Sequence, residues 1–206
     1  MTKPPEEGEI WEWRAFGNLS SRLVKGVRAY PIRMGIIARR EEDIYFISST
    51  SDQNVKLRKT GGEWVLKFKL LLETRLRSIE LYSEGLQYLF NFPVGREAIS
   101  LAAALLHTKI AEAATSKGKF HRDEFIRIMG ECSPPVVKVE TAKVRSQFQM
   151  DGGWVELADV MFSRRRVQSI SIQSPHIEAV EEILDLLKPG SELEPMNYVE
   201  ACRRWA

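Results

Sequence analysis

Cysteine is scarce. Cys132 and Cys202 are the only two in 206 residues, too few and too distant for a disulfide framework, and neither sits in a CxxC or other metal-ligand spacing. Both read as inert thiols. Histidine is nearly as rare: His107, His121 and His176 have no partner four residues away, which argues against a histidine-based metal site. No apolar run is long enough to cross a bilayer, and the leading MTKPPEEGE has no apolar stretch of the secretory type. The expected setting is soluble and cytoplasmic. Neither a GxxxxGK[ST] loop nor a GxSxG elbow occurs, which removes P-loop and α/β-hydrolase readings. Charge of one sign is missing too, with 30 Lys and Arg against 28 Asp and Glu for a net +2. The chain as a whole therefore does not attract nucleic acid, and a polyanion site must come from local clustering.

A hydrophobic content of 44% with five tryptophans suffices for one substantial core. The expectation is a single domain over 1–206 with a helical section at about 96–131. The rest is organised around Val55 to Lys69, VKLRKTGGEWVLKFK. If Gly61-Gly62 is a two-residue loop with positive φ at both positions, the cross-strand partners follow by counting outward. Lys59 then faces Trp64, Leu57 faces Leu66 and Val55 faces Phe68 on an apolar side. Arg58 faces Val65 and Lys56 faces Lys67 on the other side, with Lys69 following. Like charges placed opposite each other destabilise a sheet unless water, carboxylates or a bound anion compensate.

Upstream, Glu9 to Phe16 alternates with period two, placing Trp11 and Trp13 on one face and Ile10, Glu12, Arg14 and Phe16 on the other. Asn18 to Lys25 fits a helical turn, and Tyr30 to Arg40 reads as extended. Arg39 to Glu42 reads as an exposed turn before a strand from Asp43 to Ser49. From Glu73 onward two assignments stay open, a strand to about Leu81 followed by a helix, or one longer helix. Arg96 to Lys117 reads as a helix closed by Gly118, and a second helix covers about Arg122 to Met129.

A second ribbon repeats the first. Val136 to Met150 returns as Trp154 to Phe162 through Asp151-Gly152-Gly153, with Lys143, Arg145, Gln147, Gln149 and Glu156 on one side in either register. Arg164 to Arg166 read as a solvated strand entry rather than a gate. In the next strand Ser169, Ser171 and Gln173 share one face and Ile170 and Ile172 the other. Ser174-Pro175 suits the start of a helix to Leu187, and a last short helix begins near Asn197.

The polar faces together carry seven cations, Arg14, Lys56, Arg58, Lys67, Lys69, Lys143 and Arg145, against Glu12 and Glu156. Half-exposed antiparallel strands commonly show such residues to water. If the sheet closes on itself, the same residues line an interior, and buried charges there must be paired or meet an anion.

The order of these motifs resembles the CYTH family, the triphosphate tunnel metalloenzymes. Ile10-Trp11-Glu12-Trp13-Arg14 stands where that family has ExExK, and Asp43-Ile44-Tyr45-Phe46 is similar to its DxYF strand. Lys56-Leu57-Arg58 and Lys67-Phe68-Lys69 are similar to its RxR and xxK strands. Lys143-Val144-Arg145 matches its later KxR and Val155-Glu156-Leu157 its VELD. The resemblance covers nearly the whole chain. It implies an α+β fold, an antiparallel β-barrel with packed helices. Inward basic residues would hold tripolyphosphate, a nucleoside triphosphate or another phosphorylated anion, and Arg and Lys suit that task.

It also implies Mg2+ or Mn2+ on inward carboxylates for a metal-dependent triphosphatase or a class IV adenylate cyclase-like enzyme. Here the sequence departs. Ile10 replaces the first Glu, Ala158 replaces the Asp after Val-Glu-Leu, and Ser169 and Ser171 replace an acidic pair. Glu12 and Glu156 remain as catalytic and metal candidates, with Asp159 and Glu9 as substitutes. The expectation is a tunnel protein of reduced or altered catalysis that binds a phosphorylated anion through those seven cations, without metal if catalysis is lost.

Overall fold

A computed structural model describes residues 8–30, 37–116 and 118–205. Its largest element is a closed barrel of eight antiparallel strands, Glu9–Gly17 (β1), Ile37–Ile47 (β2), Asn54–Thr60 (β3), Glu63–Arg75 (β4), Ile79–Ser83 (β5), Val137–Met150 (β6), Gly153–Phe162 (β7) and Arg165–Ser174 (β8). The spatial order is β8-β7-β6-β2-β3-β4-β5-β1, and pairing of β1 with β8 closes the ring. Closure leaves no open edge and divides every strand strictly between inside and outside.

The helices explain why the outside is the apolar side. Ser21–Ala29 (α1) and Ile177–Leu187 (α4) bury Leu23, Val27, Val180 and Ile183 against Trp11, Trp13, Val155 and Ile172. Arg96–Leu105 (α2) and Arg122–Gly130 (α3) bury Ile99, Phe125 and Ile128 against Phe46, Leu57, Leu66 and Phe68. Tyr198–Trp205 (α5) plugs one end of the barrel. There Tyr198 stacks on Tyr45 at 5.5 Å, and the Phe16 ring meets Phe162, Tyr198 and Trp205 edge-on. Asn197 caps α5 by accepting from the Glu200 amide while Glu200 accepts from that of Asn197. The bore is thus floored by rings, with its polar part above.

The first hairpin has the expected pairing throughout, from Lys59 opposite Trp64 to Val55 opposite Phe68. Gly61 and Gly62 both have positive φ, +60° and +90°. In the second hairpin Met150 pairs with Gly153, so the loop is Asp151-Gly152. Four expectations need correction. Arg39 to Glu42 are not a turn but part of β2, because Glu41 and Asp43 point into a polar bore and break the usual apolar alternation. The stretch from Glu73 is neither alternative: β4 runs to Arg75, turns at Arg77 and Ser78 with φ of +63° and +57°, and returns as β5. The helix from Arg96 stops at Leu105, and a 3-10 turn follows at Glu112–Thr115. Finally, α4 starts at Ile177, with His176 at the cap position and Ser174 Oγ accepting from the His176 amide. Residues 31–36 and Lys117, parts of the expected extended segment and helix, lie outside the described residues.

Gly17 closes β1 at φ +152°, and a Cβ there would run into the Glu192 carbonyl. Gly17→Ala is expected to cost about 1–3 kcal/mol, since backbone strain and a backbone clash act together. A fall in the urea midpoint at unchanged m-value would show it.

Candidate functional site

All seven basic residues line one cavity of about 200 Å3 inside the barrel, together with Glu12, Glu84 and Glu156. Their strands place them there by alternation: Glu12 and Arg14 from β1, Lys56 and Arg58 from β3, Lys67 and Lys69 from β4, Lys143 and Arg145 from β6, Glu156 from β7. The excess of cations is smaller than the sequence suggested, because four further carboxylates face inward, Glu41, Asp43, Glu80 and Glu84. Glu41 lies in the segment expected as a turn, Asp43 opens the expected strand that follows it but was not counted among the inward charges, and Glu84 follows β5, beyond the strand end at about Leu81 in one of the two open assignments. Seven cations against Glu12, Glu41, Asp43, Glu80, Glu84 and Glu156 leave an excess of one. Glu80, also on β5, is held by the neutral donors Asn197 Nδ2 and Tyr82 Oη, and burial raises its pKa.

The ion pairs run around the wall in alternating sign. Lys67 Nζ is 2.8 Å from Glu84, Glu84 is 3.6 Å from Lys69, and Lys69 is 2.5 Å from Glu12. Arg14 spans Glu12 at 2.8 Å and Glu156 at 3.5 Å, and donates to Ser171 Oγ at 3.0 Å. Arg145 spans Glu156 and Glu41, both at 2.7 Å, with Lys143 beside it at 3.6 and 3.2 Å. Arg58 then joins Glu41 at 3.1 Å to Asp43 at 2.8 Å, and Lys56 reaches Asp43 at 3.3 Å. The alternation fails where the ring closes. Lys56 and Lys67 stand directly opposite each other on β3 and β4, cation against cation.

Proton affinities follow this pattern. Burial alone would raise the carboxylates, yet Lys69 and Arg14 hold Glu12 far below the usual range, and Lys56 with Arg58 does the same for Asp43. Against the same burial penalty, Lys69 and Lys67 bring Glu84 down to about 2, and Lys143, Arg14 and Arg145 bring Glu156 down to about 2. Glu41 is lowered by Lys143, Arg58 and Arg145. Burial works to lower Lys143, but Glu156, Tyr198 and Glu41 together raise it. Lys56 moves the other way: burial, then Arg58, depresses it to about 7 despite Asp43.

The carboxylates do not fit a divalent cation. Glu12 Oε1 accepts from Arg14, and its Oε2 accepts from Lys69 and Gln173. Glu156 Oε2 accepts from Arg145 and its Oε1 faces Arg14 and Lys143. Magnesium needs free hard oxygen ligands in near-octahedral array, and here the Arg14 guanidinium lies between the two glutamates. Among the described residues no three His, Cys, Asp or Glu side chains come together as a metal site. The inward positions that would supply more oxygens hold Ala158, Ser169 and Ser171. Asp159 does not swing inward: it pairs in register with Val144 and Gln168 and reaches Arg166 on the outside at 3.4 Å. Glu9 lies on the outward face with Trp11.

Outside the barrel, beside α3, an open groove of about 820 Å3 is larger than the bore. Its charges are mostly satisfied by neighbours, Arg122 by Asp123, Lys138 by Glu140 and Arg40 by Glu42. Exposed pairs of this kind contribute little and set up no unbalanced field. Arg164 to Arg166 are exposed at the plugged end, where Arg165 lies 5.2 Å from the Trp205 ring, and so do not gate the open mouth.

No family model matches the chain, and no curated protein does. Solved structures do. A proposed adenylyl cyclase from Hippeastrum with a dominant triphosphatase activity aligns over 95% of both chains at 13% identity and TM-score 0.54. A proposed adenylate cyclase from Bacillus halodurans aligns over 94% of this chain and 98% of its own, at 13% identity and TM-score 0.53. The chain shares the closed antiparallel barrel fold of these proteins. A conserved hypothetical protein from Pyrococcus furiosus shares it at 15% identity and TM-score 0.51, over 92% of this chain and 98% of that one. Identities this low establish the barrel architecture alone. Among the described residues no helix is long and apolar enough to cross a membrane.

Proposed function

We propose that the protein binds a small polyanion of the tri- or polyphosphate class in the barrel bore, holding it with side chains rather than through a metal centre. The observation that carries this reading is the break in the charge ring. Elsewhere the signs alternate around the wall, but at the Lys56–Lys67 junction two cations meet, each with a carboxylate on its far side only, Asp43 at 3.3 Å and Glu84 at 2.8 Å, and the wall as a whole keeps one cation in excess. A buried surplus of one sign is costly unless a counter-charge arrives, and an anion at the junction completes the alternation. Lys67, Lys69, Lys143 and Arg145 line the same space, and their positive charge suits phosphate oxygens.

Size favours the phosphate chain itself over a larger organic triphosphate. Pockets for drug-sized ligands run to roughly 300–1,000 Å3, whereas the bore holds about 200 Å3. The triphosphatase activity of the Hippeastrum protein supports the triphosphate class. The bound carboxylate oxygens argue against metal-dependent hydrolysis in this chain.

Thermal unfolding with tripolyphosphate, in chelator and then in excess Mg2+, tests the reading. Saturation at about 100 times the dissociation constant stabilises the folded state by about 2.7 kcal/mol through mass action. A melting temperature that rises in chelator is the expected result. A rise that needs Mg2+, together with phosphate release abolished in Glu12→Gln, would establish the metalloenzyme instead. No shift in either condition would remove the anion site.

A further inference from the structure

The same junction bears on how the site is regulated, an inference that rests on the anion-binding reading. Lys56 is buried, and the carboxylate it touches is already committed: Asp43 accepts two hydrogen bonds of 2.8 Å from Arg58 and only a longer one of 3.3 Å from Lys56. Each surrounding element brings a group toward it. Arg58 comes from β3, Asp43 and the Tyr45 hydroxyl at 3.1 Å from β2, Lys67 from β4, Lys143 from β6 and the Cys202 thiol from α5. Tyr45 and Cys202 are both pushed up by burial and stay neutral near pH 7. One shared carboxylate thus faces Lys56 together with Arg58, Lys67 and Lys143.

We propose that the polyanion enters the bore together with a proton, which the Lys56 amine takes up to become the ammonium that contacts it. In the empty barrel the ammonium form is opposed by three neighbouring cations and by loss of water. A polyanion at the junction reverses that balance, because its oxygens accept from the ammonium and offset Lys67 at the same time. The pKa of about 7 in the empty protein places the exchange in the neutral range. The step is a protonation only: one proton comes from solvent to Nζ, and no covalent bond to the ligand forms.

The linkage has a definite sign. The empty state binds fewer protons than the occupied state above about pH 7, so affinity must fall as pH rises through that region. Below it both states are protonated and the dependence flattens. Lys56→Arg keeps the positive charge but does not titrate.

Calorimetric titration of tripolyphosphate in two buffers of different ionisation heat counts the protons. The proton change of the ligand alone, measured without protein, is subtracted. At pH 8 the wild-type protein is expected to take up at least about half a proton per anion, and Lys56→Arg close to none while still binding. Should Lys56→Arg not fold, the wild-type dissociation constant decides, with a weakening that approaches tenfold per pH unit above pH 7 after ligand correction. Binding without proton uptake and without that slope overturns the proton coupling and leaves the anion site standing. Absence of binding at every pH overturns the anion site, and the coupling with it.

Discussion

Arg14→Met is expected to destabilise the folded protein by about 3–5 kcal/mol, the cost of leaving buried charges without a partner. Arg14 is the only residue in the ring that joins β1 to β7, and it contacts Glu12, Glu156 and Ser171 at once. Its guanidinium also lies 4.6 Å from the centre of the Tyr198 ring. Methionine fills much of the volume, so lost packing adds little. Glu12 keeps Lys69, but Glu156 is left to Arg145 and Lys143, and both carboxylates remain buried. Urea denaturation measures the change. An exposed control, Arg166→Ala, is expected to stay within about 0.5 kcal/mol, because its pair with Asp159 is open to water. A loss below about 1 kcal/mol for Arg14→Met would mean that the ring is not a stability element.

The second large effect is with acid. Glu12, Asp43, Glu84 and Glu156 all have folded-state pKa values below the ordinary carboxylate range. For groups depressed in this way, the stabilisation is present above the unfolded pKa of about 4 and is lost as pH falls through the folded value. The window for Glu84 and Glu156 is therefore about pH 4.5 down to about 2. A shift of that size for Glu156, which is almost wholly buried, corresponds to a contribution of the order of 3 kcal/mol. Glu84 is more open to solvent, so screening reduces its share. Protonating the carboxylates also strips the seven cations of the bore, four of them buried, of their partners, and repulsion adds to the loss. Denaturant titrations at successive pH values should show stability falling steeply from about pH 4.5. A flat profile down to pH 2.5 would contradict the paired interior.

Much of the barrel was legible because its strands announce themselves twice, by period-two alternation and by glycine turns. Gly61-Gly62 fixed the register of one hairpin, and with it the opposition of Lys56 and Lys67. Alternation assigned the seven cations to one side, although it could not say that this side was the interior. A polar lumen inverts the usual pattern, so Arg39 to Glu42 carry no apolar signature and Glu41 went unseen. Glu84 was missed for a similar reason: β5 is short, and its inward residues Glu80 and Tyr82 make no apolar stripe. A signal existed, since inward positions on β2 continue back from Asp43 to Glu41 by counting two. The helix from Arg96 was read too long because Ala and Leu continue past Leu105, where a turn through His107 at φ +51° ends it.

The central claim is that unbalanced cations at the β3–β4 junction exist to receive an anion. Calorimetric titration of tripolyphosphate in chelator, comparing wild type with the Lys56→Met, Lys67→Met double variant, tests it most directly. The empty variant should be at least as stable as wild type, since it loses repulsion and retains the Asp43–Arg58 and Glu84–Lys69 pairs. Its affinity should be weaker by about 100-fold or more, from the loss of two charged hydrogen-bond donors of roughly 1.5–3 kcal/mol each. One site per chain in wild type, without metal, and a stable variant that has lost it are the predicted results. Equal affinity in the two proteins, or binding in wild type only when Mg2+ is present, would contradict the account.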